Sequence, residues 1–176
     1  MSQSSKSRIT VMLAALLGTV LSASAHDPMR SWASVRMTDE QVIVDVEMAG
    51  EAAMTLIGVP AGTQPIPEDA GALYGPMKTA MREGKLYQLL TDSKRLEPLD
   101  VSVEYDGDDA FKFRLRFARP KGAVAQLDAA FLAGLPDEHR TILMVLQPDG
   151  TPLGASVPTK RERIVDFELP APVPAG

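Results

Sequence analysis

A strict alternation of apolar and charged side chains over residues 111–117 constrains the fold of this chain more than any other feature. A period of two residues is typical of a β-strand that has one face in the core and the other in solvent. Residues 99–105 precede it across an Asp- and Gly-rich turn, so we expect the two segments to form a hairpin. The alternating residues are Phe111, Lys112, Phe113, Arg114, Leu115, Arg116 and Phe117.

Similar strand signals recur along the chain. Residues 31–37 and 42–48 predict two strands around a polar turn, and residues 164–169 predict a last strand. Residues 141–146 form a continuous apolar run, which suits a central strand buried on both faces. About seven short strands separated by turns indicate a mainly β fold, and we predict an immunoglobulin-like Greek-key β-sandwich.

The stretch between Gly58 and Pro98 interrupts the β pattern. Several Pro and Gly residues break regular structure, and five apolar residues then follow an approximate helical spacing. We expect one or two short helices here, as a helical insert in the sandwich. Met77 and Met81 are four residues apart, and two thioethers can hold Cu(I). Such a pair more often fills a core, which is what we expect here. We also expect Trp32 to pack in the core. The five residues are Met77, Met81, Leu86, Leu89 and Leu90.

Residues 1–25 have the features of an export signal. Lys6 and Arg8 precede an apolar run at residues 9–21, and Ala23 and Ala25 form a small-residue cleavage site. The sequence predicts a cleaved signal peptide at residues 1–25, one domain at 26–169 and a disordered tail at 170–176. No apolar run approaching ~20 residues follows, so we expect a periplasmic or secreted protein without a transmembrane segment.

Composition narrows the classes of partner. Removing residues 1–25 leaves 16 basic and 23 acidic residues, a net charge of −7. With this charge and only 5% aromatic residues, nucleic acid is not an expected partner. The chain has no cysteine, so disulfide bonds and thiolate ligands are both excluded.

Cleavage after Ala25 would make His26 the first residue. Its α-amine and its ring Nδ1 can then chelate one metal ion. The only other histidine is His139, two residues after Asp137. On an extended segment such residues point to the same side, so we expect both to face one ion together with His26. The alternative is that His26 follows the cleavage site by chance and that His139 is a loop or capping residue.

These residues resemble a known arrangement. A mature N-terminal histidine, a later Asp-x-His and an immunoglobulin-like sandwich, in an exported chain without cysteine, are similar to the CopC family of periplasmic copper carriers. The resemblance implies that His26, His139 and Asp137 bind Cu(II). The start of the domain, and the segment from His139 through residues 147–150 into a last strand, resemble the periplasmic domain of HupE/UreJ-type metal-transport proteins. That resemblance implies a role in metal handling, with a membrane metal transporter as a partner.

Three functions remain open at this point. The first is a periplasmic Cu(II) carrier or chaperone, because nitrogen ligands with one carboxylate suit Cu(II). The second is a metal-free interaction or scaffold module of the envelope. The third is a copper oxygenase that uses the same histidine brace, although no flat aromatic surface for a polysaccharide is evident. Hydrolase chemistry is disfavoured, because only His139 could serve as a base.

Overall fold

A computed structural model describes residues 30–62, 68–107 and 109–169 of the 176-residue chain. The predicted signal peptide, His26 and the predicted tail lie outside these residues. In chain order the strands are β1 (Arg30–Met37), β2 (Gln41–Ala49), β3 (Gln88–Thr91), β4 (Lys94–Leu96), β5 (Asp100–Tyr105), β6 (Ala110–Ala118), β7 (Val124–Asp128), β8 (Arg140–Leu146), β9 (Pro152–Ser156) and β10 (Ile164–Glu168). The helices are α1 (Gly50–Met54), α2 (Tyr74–Arg82) and three 3₁₀ helices, Thr55–Ile57, Ala70–Leu73 and Ala130–Gly134.

The strands form two sheets. One has six strands in the order β5-β6-β2-β1-β8-β9, and the other has four in the order β10-β7-β3-β4. Neighbouring strands are antiparallel except β1 and β8, which run parallel. The inner faces of both sheets and the buried sides of the helices contribute to one apolar core. The prediction of a mainly β sandwich with a short helical insert is confirmed.

The predicted hairpin is β5 and β6. All four apolar residues of its alternating strand are at most 2% exposed. The three basic residues between them are exposed. Arg114 pairs with Asp45 of β2 (Nε to Oδ1, 2.6 Å), and Arg116 pairs with Asp100 of β5. The outer face of this hairpin is therefore a solvated, charge-compensated surface, because its acidic neighbours offset its basic residues.

The helical insert is shorter than its apolar spacing predicted. Met77 and Met81 lie on α2 and are wholly buried, so they fill the core as expected. Leu89, however, lies in β3 opposite Leu127 of β7, and the helical interpretation of that segment is wrong. Gly84 lies just beyond the end of α2 with a φ of +79°, a left-handed conformation that suits glycine and stops the helix. Among the described residues, no helix has the length and apolar character that a bilayer crossing requires.

Two expectations about burial are also wrong. In β8 the burial alternates: Thr141 and Leu143 are buried, whereas Ile142 and Met144 are only partly so. The strand thus has one core face instead of two. Trp32 lies opposite Ile142 on the same outer face and is partly buried, not in the core. An apolar run cannot distinguish two-sided burial from one-sided burial with a partly covered outer face.

Candidate functional site

The parallel pairing of β1 and β8 brings two distant parts of the chain to one end of the six-stranded sheet. Arg30 lies opposite Arg140, and Ser31 lies opposite Thr141. His139 immediately precedes β8. Because the two strands run in the same direction, their first residues lie at the same end of the sheet. The start of β1 is thereby next to the second histidine of the chain.

His139 belongs to a small polar cluster inside the sandwich. The hydroxyl of Ser31 lies 3.1 Å from its Nε2 and 2.6 Å from the hydroxyl of Thr141. None of the three residues is more than 1% exposed. We call Ser31, His139 and Thr141 the buried polar cluster. Because polar groups removed from water are costly unless they are hydrogen-bonded, these contacts are needed to keep all three residues inside.

Aromatic rings enclose one side of the cluster. Phe131, on the last 3₁₀ helix, meets the His139 ring edge to face, with centroids 6.2 Å apart and planes at 88°. Tyr87 packs against Phe131, with their centroids 5.4 Å apart. Tyr87 is wholly buried, and desolvation raises the pKa of its hydroxyl far above the ordinary value, so this phenol stays neutral. The imidazole is therefore held between a polar contact and an apolar wall.

The segment before His139 is a turn, not the extended segment that we expected. The backbone N–H of His139 donates to the carbonyl oxygen of Pro136 (3.1 Å), and Arg140 donates to the carbonyl oxygen of Asp137 (2.6 Å). The side chain of Asp137 is 63% exposed, and its carboxylate lies 3.5 Å from Nζ of Lys160. The turn thus directs Asp137 to the surface and His139 to the core.

The described residues do not complete a metal site by themselves. Within residues 30–62, 68–107 and 109–169, no three His, Cys, Asp or Glu side chains are grouped so that they could hold an ion. His26 lies outside these residues. A site at His139 therefore requires donors from outside these residues. The donor type fits copper, because an imidazole nitrogen is a favourable Cu(II) ligand.

Sequence reasoning identified His139 but missed Ser31 and Thr141. A weak signal was present in both strands. Ser31 is an even number of residues from the core residue Val35, and Thr141 is an even number from the core residue Leu143, so each lies on the core-facing side of its strand. A polar residue on the inward side of a predicted strand indicates a buried hydrogen-bonded group, although not its partner.

No family model matches the chain, and no curated protein matches it.

Proposed function

We propose that the exported protein is a periplasmic Cu(II)-binding carrier or chaperone whose site includes the mature N-terminal His26 and His139. The observation that carries this proposal is the parallel pairing of β1 and β8. His139 directly precedes β8, and His26 is four residues before the first residue of β1. A chain advances at most ~3.6 Å per residue, so the Cα atoms of His26 and Arg30 are separated by at most about 14 Å. In an antiparallel pair, the first residues of the two strands would lie at opposite ends of the sheet.

The proposed donors are mainly nitrogen atoms. The α-amine and Nδ1 of His26 would supply two positions and the His139 ring a third, a set that suits the tetragonal preference of Cu(II). Asp137, Asp27 or water would supply an oxygen. Asp137 would have to exchange its contact with Lys160 for the metal. The amine and the imidazoles must lose protons to bind, so copper affinity should fall as the pH falls.

Calorimetric titration of the exported protein with Cu(II) tests the proposal. We expect one ion per chain, and a loss of affinity larger than about 100-fold for His26→Ala and for His139→Ala, which exceeds the usual effect of removing an outer-sphere partner. One alanine added before His26 should have the same effect, whereas one alanine added after Gly176 should have none. Unchanged affinity in all three test variants would overturn the site.

N-terminal sequencing of the exported protein is a second test. A chain that begins anywhere except His26 lacks the amine–imidazole chelate.

Peroxide release during ascorbate oxidation by the copper-loaded protein would indicate the oxygenase alternative instead of a carrier. As a carrier, the protein would deliver copper to a membrane metal transporter.

A metal-free assembly module is the second candidate, and β9 favours it. This strand is at one end of the six-stranded sheet, and no strand in the described part of the chain pairs with its outer edge. Four of its five residues are exposed, and none is charged. Leu153 is 51% exposed, and Val157 just beyond the strand is 55% exposed. An uncharged edge strand has unpaired backbone groups that can pair with another strand, and here we take the partner to be β9 of a second copy.

Light scattering over a concentration series tests this second candidate. If β9 pairs with itself, the protein should dimerise, and Leu153→Lys should return it to a monomer because the edge gains a charge. Leu99→Lys is a matched control, since Leu99 is 62% exposed and lies outside this edge. A protein that stays monomeric at all concentrations, or equal dimerisation of both variants, would overturn assembly through β9.

A further inference from the structure

The buried polar cluster is unusual for its position. The other inward-facing residues of β1 are apolar: Ala33, Val35 and Met37. At the start of the strand, Ser31 is equally buried, yet it presents a hydroxyl to His139 and Thr141. Replacing such a hydrogen-bonded group and its partners by apolar residues of the same shape is often nearly neutral for stability. Stability alone therefore does not explain why three polar side chains meet here.

We infer that Ser31 is a positioning residue for the proposed copper site: its hydroxyl accepts the Nε2 proton of His139 and makes Nδ1 the nitrogen that binds the metal. This inference rests on the proposed function and adds to it the choice of ring nitrogen and the residue that makes the choice. Histidines that bind metals almost always donate their other ring N–H to a fixed partner, which sets the tautomer and the ring orientation.

The contacts around the ring permit this assignment. Ser31 has one proton, and the 2.6 Å contact with Thr141 provides an acceptor for it. If the proton points to Thr141, the lone pairs of the Ser31 oxygen remain to accept from Nε2, 3.1 Å away. Phe131 packs at right angles to the imidazole and restrains its rotation. A metal bound through Nδ1 would leave the Ser31 contact intact, whereas binding through Nε2 would break it.

The tautomer can be measured without copper. Long-range ¹H–¹⁵N NMR spectra of the metal-free exported protein should show His139 protonated at Nε2. In Ser31→Ala this preference should weaken. In Ser34→Ala it should remain, because Ser34 is on the same strand but faces outward. Protonation at Nδ1 in the parent protein would overturn the inference.

Copper titration gives the second readout. Ser31→Ala should bind Cu(II) ~10–100-fold more weakly than the parent protein, the usual cost of losing an outer-sphere partner, while Ser34→Ala binds normally. If the parent protein binds no copper, the proposed function fails, and the NMR spectra still decide the role of Ser31 at the ring. If the parent binds and Ser31→Ala binds equally well, the positioning role fails and the copper site stands. Should Ser31→Ala not fold, Thr141→Val, which removes the acceptor but keeps the side-chain shape, replaces it in both measurements.

Discussion

In the β5–β6–β2 half of the six-stranded sheet, charged side chains lie outside the core, whereas in the β1–β8 half polar side chains lie inside it. Arg114 and Arg116 pair with carboxylates on a solvated face. Ser31 and Thr141 instead meet His139 in the interior. Exposed ion pairs contribute little, because water competes for both partners, but a buried polar group that loses its partner is costly. Removing a contact in the buried polar cluster should therefore cost more stability than removing an exposed ion pair of similar length. If copper binds, it should also have the larger effect on function.

The largest effect should come from the inner face of the charged half. Phe113→Ala removes a ring that is 2% exposed, and we expect it to lower the free energy of unfolding by ~3–5 kcal/mol because it leaves a cavity. Urea denaturation followed by circular dichroism measures the loss. Lys112→Ala, one residue away on the outer face, is the control. Equal losses in both variants would contradict the assignment of the two faces.

The buried polar cluster should give the next largest effect. Ser31→Ala leaves His139 and Thr141 buried without that hydroxyl, so we expect a loss of ~1–3 kcal/mol in the free energy of unfolding. The double variant Ser31→Ala/Thr141→Val should lose less than the sum of the two single variants, because both substitutions remove the same contact. The same denaturation experiment measures this coupling. Strict additivity would show that the two hydroxyls act independently.

A smaller effect is expected for an ion pair on the outer face. Arg114→Ala removes the pair with Asp45 but leaves no cavity in the core, since the Arg114 side chain is 53% exposed. We expect a loss of ~0–1 kcal/mol, which should shrink further in 1 M salt because salt screens exposed charges. Denaturation at low and high salt measures both. A loss as large as that of Ser31→Ala would remove the contrast between the two halves.

The smallest effect concerns pH. The Arg116 guanidinium beside Asp100 holds the pKa of that carboxyl below its ordinary value of 3.8. Because the folded pKa is the lower one, the pair adds stability above the ordinary value and loses this contribution as the pH falls through the folded pKa. NMR titration should show the lowered pKa in the parent protein and its return towards 3.8 in Arg116→Ala. An unchanged pKa in the variant would exclude Arg116 as the cause.

The sequence predicted the charged half well and the other half only in part. The β5–β6 hairpin follows from alternation and a short turn, because its partners are neighbours along the chain. The spacing of apolar residues wrongly predicted a helix at Leu89, because the helical spacing continues beyond Gly84, where α2 stops. Local spacing also gave a wrong prediction before His139, where a turn separates the directions of Asp137 and the imidazole. Local spacing does not reveal a change of backbone direction within three residues.

Alternation in the sequence alone determined which side chains share a face in the alternating strands, and the two histidines and the predicted cleavage site suggested the copper hypothesis. Only the tertiary structure decided that β1 lies beside β8 and runs parallel to it. Ser31 and His139 are 108 residues apart along the chain. The physical reason is that alternation reports burial, which is a property of one strand, whereas the choice of a neighbouring strand depends on how all the strands share one core.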